Sequence, residues 1–182
     1  MLTSAETAAE AAKIAAAYPK MATYADEIVR VAGGLAKGKG VKPAWLANAI
    51  NFESDGGDPA AINQIVEKTA PGTGASGLIQ FVPGTAAELG TSLSKIRRMN
   101  GREQMKLVEA YFKLNRIPTV YSQSDIFMAI FYPYAIGKGP SYIIGSEKGP
   151  EYVARLQAQN PGIKTAADYT NYALKKARLP ST

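Results

Sequence analysis

The chain has 182 residues, of which 46% are hydrophobic, enough for one domain whose core needs neither disulfides nor a metal. Cysteine and histidine are both absent, which excludes Cys/His zinc sites, thiol nucleophiles, Ser-His-Asp triads and imidazole general bases. We expect no metal and no cofactor. The net charge of +6 favours an anionic partner such as a wall polymer, a nucleic acid or a membrane surface.

The first part of the chain is predicted to form two alanine-rich helices with few large apolar residues. The pattern indicates helices over 4–17 and 20–32, the second closed at Gly33–Gly34. The glycine-rich run 33–40 is typical of a flexible joint. We therefore expect an N-terminal helical extension, residues 1–40, that packs on a domain or on a partner.

Residues 41–182 are predicted to form the main domain, and it is expected to be mainly helical. Alternation of period two is scarce, so we expect no strands beyond a short β-hairpin near 73–81. Capping residues, prolines and glycines set the predicted helices at 43–53, 63–68, a short helix stopped by Gly90, 100–115 with an Asn100–Glu103 capping box, one from Ser122 or Ser124 to Pro133, 150–160 and 165–177.

Neither a secretory signal nor a membrane span is expected. Glu6 and Glu10 stand where a signal peptide would have its basic and apolar regions. The most apolar stretch, 126–136, contains Pro133 and is far shorter than the roughly 20 residues that a membrane span requires.

A basic cluster precedes and enters the predicted helix 100–115. It has no interleaved aromatic residues and matches no nucleic-acid-binding motif, so a solvated basic face is favoured and nucleic acid is not an expected partner. Its members are Lys95, Arg97, Arg98, Arg102 and Lys106.

Glu53 is the candidate catalytic residue that the pattern of the helix 43–53 suggests. Leu46, Ala49, Ile50 and Glu53 are related by spacings of three and four residues, so they share one face. A carboxyl that continues an apolar stripe is partly desolvated, and the negative end of the helix dipole acts in the same direction, so its pKa should be raised as a general acid requires. The alternative is a Glu that points into solvent at a helix end.

Two motifs in order carry a resemblance to a known family. The first is Glu53-Ser54 at the end of a helix. The second is a glycine-rich block that follows a loop and contains Gly74, Ala75, Gly77, Leu78, Gln80, Phe81, Pro83, Thr85, Ala86, Leu89 and Gly90. This arrangement resembles the lytic transglycosylases with a soluble-lytic-transglycosylase domain, which have the lysozyme-like fold. The resemblance covers about residues 41–140.

The chain departs from the family pattern at two places. The loop between Glu-Ser and the glycine-rich block is longer, so its tip could shape a substrate subsite. The third family motif ends in Ala-Tyr-Asn, whereas this chain has Phe131-Tyr132-Pro133. Tyr132 can take the place of the family tyrosine or serve as an ordinary core aromatic, but proline cannot replace the asparagine's amide hydrogen bonds.

The resemblance implies an enzyme that cleaves peptidoglycan glycan strands between N-acetylmuramic acid and N-acetylglucosamine. By this analogy Glu53 acts as acid and then as base, the substrate N-acetyl group stabilises C1, and the product is a 1,6-anhydro sugar. Ser54, Ser76, Gln80 and Tyr132 are the implied substrate-binding residues. For Gln80 the alternative is an amide that stabilises its own loop.

Two other functions stay open on the same fold. A hydrolytic muramidase would need a second carboxylate to activate water, and Asp55 or Asp58 could supply it, although Asp58 in Gly-Gly-Asp-Pro is also a normal turn residue. A non-catalytic structural or glycan-binding module would agree with the altered third motif. A buried carboxyl is costly unless it is used, which argues against that module.

The expected location follows from the predicted lack of a signal peptide. We expect a bacteriophage protein, held in the virion or in the host cytoplasm before it reaches the cell wall and periplasm. In a virion, the helices of residues 1–40 would attach to other virion proteins.

Overall fold

The protein is mainly α-helical, as predicted. The computed structural model describes residues 2–35 and 41–180. In that part of the chain the α-helices are α1 (Ser4–Ala17), α2 (Ala25–Leu35), α3 (Pro43–Glu53), α4 (Gln64–Thr69), α5 (Pro83–Glu88), α6 (Leu93–Ile96), α7 (Gly101–Phe112), α8 (Gln123–Phe131), α9 (Pro150–Gln159) and α10 (Ala166–Leu174). Short 3-10 helices occur at Pro19–Met21, Pro133–Ala135 and Ser146–Lys148.

Helix caps explain where several helices begin. Pro43 is in the first turn of α3, where the missing N–H costs no hydrogen bond. Asn100 and Glu103 form the predicted capping box at the start of α7. Of the two serines predicted as the cap of α8, the structure selects Ser122, whose side chain accepts a hydrogen bond from the Asp125 N–H.

The prediction for the second helix is wrong at both ends. The chain forms a 3-10 turn at Pro19–Met21, and α2 begins only at Ala25. Met21 at the end of this turn and Tyr24 just before α2 are both buried in the core, and we infer that this packing outweighs the preference for a continuous helix. Helix α2 also runs through Gly33–Gly34 to Leu35, because glycine weakens a helix without forbidding it when the helix packs on neighbours. Residues 36–40, which contain the rest of the predicted joint and the domain boundary at residue 40, lie outside the described residues.

The predicted β-hairpin near 73–81 is reduced to single bridges. Ser76 pairs with Ile62 and with Phe81, and Ile143 pairs with Thr165, while the described residues contain no extended strand. The glycine-rich block therefore forms a tight loop rather than a sheet.

The helices surround one hydrophobic core, and α1 and α2 contribute to it. Helix α2 packs on α1, α3 and α7, and α8 packs on α3 and α10. Ile14, Tyr18 and Ile28 are almost completely buried in the same cluster as Leu46 and Phe127. Described residues of the predicted extension are thus part of the support for α3. Within the described chain, no helix has the length and apolar character needed to cross a membrane.

Tyr18 links three distant parts of the fold through its hydroxyl group. The hydroxyl donates a hydrogen bond of 2.6 Å to Asn48 Oδ1 on α3 and accepts one of 2.7 Å from the Arg178 N–H. Tyr18 itself is 1% exposed.

We expect Tyr18→Phe to lower the free energy of unfolding by about 1–3 kcal/mol, because buried polar groups lose their partner. Urea unfolding measures this change.

Tyr121→Phe is the matched control, since Tyr121 is 60% exposed and loses the same hydroxyl without opening the core. An equal, small effect of both substitutions would contradict the role assigned to the Tyr18 hydroxyl group.

Candidate active site

Glu53 lies at the last residue of α3, on the helix face whose other residues form the core. Leu46, Ala49 and Ile50 on this face are fully buried, while Glu53 is partly exposed. Burial raises the pKa of the Glu53 carboxyl from its ordinary value to about 7, and a hydrogen bond from Tyr169 partly opposes this increase. At neutral pH both the protonated and the ionised form are therefore populated.

Tyr169 on α10 is the hydrogen-bond partner of Glu53. Its hydroxyl donates to Glu53 Oε1 over 3.0 Å. The Tyr169 ring is stacked on Phe131, with centroids 4.0 Å apart, and meets Phe52 edge to face at 5.7 Å. Burial and the nearby carboxyl raise the pKa of Tyr169, so it remains a donor. The aromatic packing leaves the hydroxyl little freedom to turn away from Glu53.

An open cleft of about 600 Å³ lies in front of the carboxyl. It is bordered by the end of α3, the loop after it and the segment after α10, and its lining residues are Asn51, Phe52, Glu53, Asp55, Gly56, Lys175, Lys176, Ala177 and Arg178. A smaller cavity of about 330 Å³ lies between Leu35 and the loop that follows α7, and its lining includes no Asp or Glu. Of these two cavities in the described chain, the larger one is lined by an acidic side chain with a raised pKa, that of Glu53.

The loop that leaves α3 is held against the first helices of the chain. Gly57 has a φ of +89°, and a Cβ atom there would come within 2.5 Å of Met21 Cγ. The Gly57 carbonyl accepts a hydrogen bond of 2.5 Å from Tyr24. A side chain at this position would collide with Met21 and Tyr24 and would therefore displace the loop that borders the cleft.

The two aspartates proposed as a second carboxylate are both close to Lys20. The Lys20 ammonium lies 3.4 Å from Asp55 Oδ2 and 3.6 Å from Asp58 Oδ2. Asp55 lines the cleft, whereas Asp58 accepts a hydrogen bond from the Ala60 N–H, the contact expected of a turn residue. Asp55 thus shares the cleft with Glu53, and Asp58 is occupied in the loop.

The two serines predicted to bind substrate have buried, bonded hydroxyl groups. Ser54 is 1% exposed and donates to the Ile50 carbonyl. Ser76 is fully buried, donates to the Gly74 carbonyl and accepts a hydrogen bond from Arg97 Nε. These contacts hold the end of α3 and the glycine-rich loop in shape, and neither hydroxyl is presented to a ligand.

Gln80 and Tyr132 also make contacts within the protein. The Gln80 amide donates to the Gly77 carbonyl over 3.1 Å, and Gln80 has a positive φ of 52°. Tyr132 is 9% exposed, and its hydroxyl donates to Glu147. Neither residue lines the cleft. The segment of the altered third motif contacts the site through Phe131, which stacks on Tyr169.

Sequence reasoning missed Tyr169 and the cationic residues of the cleft. Thr165 was predicted to open the last helix, and it does so through a capping box with Asp168. That pattern gives the start of α10 but not its orientation, and Tyr169 is 116 positions away from Glu53. No local spacing signals such a contact.

A salt bridge between Glu67 and Arg97 connects the long loop with the glycine-rich block. Two parallel hydrogen bonds of 3.0 and 2.8 Å join their side chains. Glu67 also accepts from the N–H groups of Gly72 and Gly74. These donors, the Arg97 guanidinium above all, hold the pKa of Glu67 down at about 2. Arg97 of the basic cluster is thus a structural residue.

We expect Glu67→Gln to lower the free energy of unfolding at pH 7, because Arg97 and two backbone N–H groups lose a charged acceptor. A carboxyl whose pKa is depressed in the folded state stabilises that state above its unfolded pKa, and the benefit is lost as the pH falls toward 2. Urea unfolding between pH 7 and pH 2 should therefore show that the difference in free energy of unfolding between variant and wild type shrinks below about pH 4.5.

The control is Glu151→Gln, a change at an exposed residue of α9. A difference for Glu67→Gln that does not depend on pH would contradict the assignment.

We expect Tyr169→Phe to raise the pKa of Glu53. In the wild type the hydrogen bond from Tyr169 stabilises the ionised carboxylate, and the variant loses this bond while the desolvation of the carboxyl remains. Titration of the Glu53 carboxyl carbon by NMR measures the shift directly. Tyr172→Phe is the matched control, because its ring also contacts Phe52, at 5.7 Å, and it is 47% exposed. A pKa that falls or stays constant in Tyr169→Phe would show that the hydroxyl does not act on the carboxyl.

Comparison of the chain with protein-family models, with curated protein sequences and with solved structures found no match. A functional assignment therefore depends on the described residues. Those residues place one carboxyl with a pKa near neutrality, fixed by a tyrosine hydroxyl, in an open cleft with a cationic border.

Proposed function

We propose that the protein is a peptidoglycan lytic transglycosylase that cleaves the bond between N-acetylmuramic acid and N-acetylglucosamine. The observation that carries this proposal is the position of the Glu53 carboxyl in the cleft together with its raised pKa. Its pKa is raised to about 7, and it lines a cleft of about 600 Å³ that is open to solvent. Together with the two motifs that resemble the family, this favours acid catalysis on a glycan strand.

In the first step, protonated Glu53 donates its proton to the glycosidic oxygen. The bond from C1 of the muramic acid to that oxygen breaks, and the N-acetylglucosamine leaves with a hydroxyl group. The N-acetyl oxygen of the same sugar then bonds to C1 and takes up its positive charge, as the family resemblance implies. A carboxyl with a pKa near 7 is suited to this step because a sizeable fraction is protonated at neutral pH.

In the second step, the ionised Glu53 accepts the proton of the C6 hydroxyl. The C6 oxygen then bonds to C1, and the bond between C1 and the N-acetyl oxygen breaks, which gives the 1,6-anhydro sugar and returns Glu53 to its protonated form. No water is consumed. The hydrogen bond from Tyr169 supports the ionised form between the two steps, so one carboxyl can serve as acid and then as base.

Hydrolysis is the competing outcome, and Asp55 is the residue that favours it, because it lines the same cleft as Glu53. Two features favour the lyase route instead. Lys20 pairs with Asp55 over 3.4 Å, and 98% of the Asp55 side chain is exposed, so no apolar surroundings shield Asp55 as they shield Glu53. Asp58 is taken up by its turn.

We expect Glu53→Gln to lower the rate of release of soluble products from peptidoglycan sacculi by on the order of a hundredfold to ten-thousandfold, the usual contribution of a general acid. Mass spectrometry of the products identifies the reaction. Anhydro-muropeptides from the wild type, and their loss in Glu53→Gln, are the expected results, whereas Asp58→Asn and Asp55→Asn should retain activity.

The variant should remain folded, because Gln removes a carboxylate that burial disfavours. Relative to wild type, the free energy of unfolding of Glu53→Gln should be higher by roughly 2–3 kcal/mol above pH 7, because the folded wild type must there hold an ionised Glu53. The difference between the two proteins should vanish below pH 4.5.

Products with reducing ends, together with loss of activity in Asp55→Asn, would instead establish a muramidase. Equal inactivity of wild type and Glu53→Gln would point to a non-catalytic module.

A further inference from the structure

Three exposed cationic side chains line the cleft that holds Glu53. Lys175, Lys176 and Arg178 follow α10 directly, and we call them the basic rim. They are distinct from the basic cluster before and in α7, and the family resemblance does not cover this part of the chain. Their position beside the candidate catalytic carboxyl raises the question of what anion they face.

The backbone of the basic rim is held in place by buried side chains. The Asn51 amide on α3 donates to the Lys176 carbonyl over 3.0 Å, and the Tyr18 hydroxyl accepts from the Arg178 N–H. Arg178 also donates from its guanidinium to the Ala17 carbonyl. Asn51 is 9% exposed and Tyr18 is 1% exposed. The three cations therefore project from a fixed segment, and the same helix that carries Glu53 fixes it.

The charge of the rim is not neutralised within the described chain. None of its three side chains lies within 4.0 Å of a carboxylate of residues 2–35 or 41–180. Asp55, the other acidic residue of the cleft, faces Lys20. The Lys176 ammonium instead lies 5.4 Å from the centre of the Phe52 ring and 5.9 Å from that of Tyr172. Aromatic faces orient a cation without cancelling its charge.

We propose that the basic rim is a subsite for carboxylates of the peptide that is attached to the glycan strand. This proposal rests on the proposed function, since it takes peptidoglycan as the ligand. The sugar ring atoms, hydroxyl groups and N-acetyl groups of the strand are uncharged, so the peptide carboxylates are the anions that a bound strand would bring to the cleft. Lys and Arg donors pair with carboxylates through charge-assisted hydrogen bonds.

The chemistry of the subsite predicts a preference that a binding measurement can detect. The protein should bind sacculi with free peptide carboxylates more tightly than sacculi whose carboxylates have been converted to methylamides. Both preparations should be free of phosphate-containing wall polymers, so that phosphate cannot replace the carboxylate. Binding is measured by sedimentation with Glu53→Gln as the parent protein, so that cleavage does not alter the ligand.

We expect the triple variant Lys175→Gln/Lys176→Gln/Arg178→Gln to bind untreated sacculi about fivefold to tenfold more weakly than its parent, because each solvent-exposed ion pair contributes little on its own. It should bind methylamide sacculi like the parent. The charge-preserving variant Lys175→Arg/Lys176→Arg/Arg178→Lys should retain the preference, and Lys175→Gln/Lys176→Gln, which leaves the contact of Arg178 with Ala17 intact, should lose part of it.

A matched control removes three positive charges elsewhere. Lys95, Arg98 and Lys106 of the basic cluster are exposed, and their triple change to Gln leaves the ion pairs of Arg97 and Arg102 with Glu67 and Asp26 intact. The control should keep the parent's preference for untreated sacculi. If it loses the preference as fully as the rim variant does, or if the rim variant retains it, general charge attraction explains the binding and the subsite is refuted.

The result can be separated from the test of catalysis. Wild type that releases no products but prefers free carboxylates through the rim would refute the lyase and support the subsite. A parent that does not bind either preparation would refute the subsite, whatever the products of the wild type are.

Discussion

The hydrogen bond between Tyr169 and Glu53 joins two helices that are far apart in the chain, and the candidate site depends on it. Burial alone would raise the pKa of Glu53 and keep the carboxyl protonated, which suits an acid but not a base. Full exposure would leave the carboxyl ionised, which suits a base but not an acid. The structure lies between these limits: desolvation raises the pKa to about 7, and the Tyr169 hydroxyl opposes any further increase. A group that must give and then take a proton needs this balance.

The balance in turn depends on packing that reaches well beyond the cleft. Tyr169 is fixed by stacking on Phe131, so the position of its hydroxyl depends on how α8 and α10 pack together. Helix α3 also packs on α2, and the Tyr18 hydroxyl connects α3 with the segment after α10. Because cores are close-packed, a shift in any of these elements is transmitted to the distance between the carboxyl and the hydroxyl.

Local features of the site could be predicted from the sequence, and its long-range contacts could not. The bounds of α3 and the orientation of Glu53 follow from Pro43 and from an apolar stripe with helical spacing, and the capping box at Asn100 follows from two residues three positions apart. The predicted start of α2 is wrong because burial of Met21 and Tyr24 in the tertiary structure overrides the local preference for a helix. The contact of Tyr169 with Glu53 could not be predicted for a related reason. Which face of α10 meets α3 depends on packing between residues more than a hundred positions apart. For Ser54 and Ser76, the family resemblance predicted substrate-binding side chains but could not show that each hydroxyl donates to a carbonyl within the protein.

The positions of the charges around the cleft reconcile two requirements that oppose each other. Cations near a carboxyl lower its pKa, yet a protein that acts on an anionic polymer gains from a positive cleft. The side chains of Lys175, Lys176 and Arg178 are exposed, and in physiological salt the interaction between exposed charges is largely screened beyond about 8 Å. The carboxyl of Glu53 is partly withdrawn among apolar groups, so burial outweighs the other influences on its pKa. A positive border on the solvent side and an apolar support behind the carboxyl thus allow the cleft to attract an anion while the pKa of Glu53 stays raised.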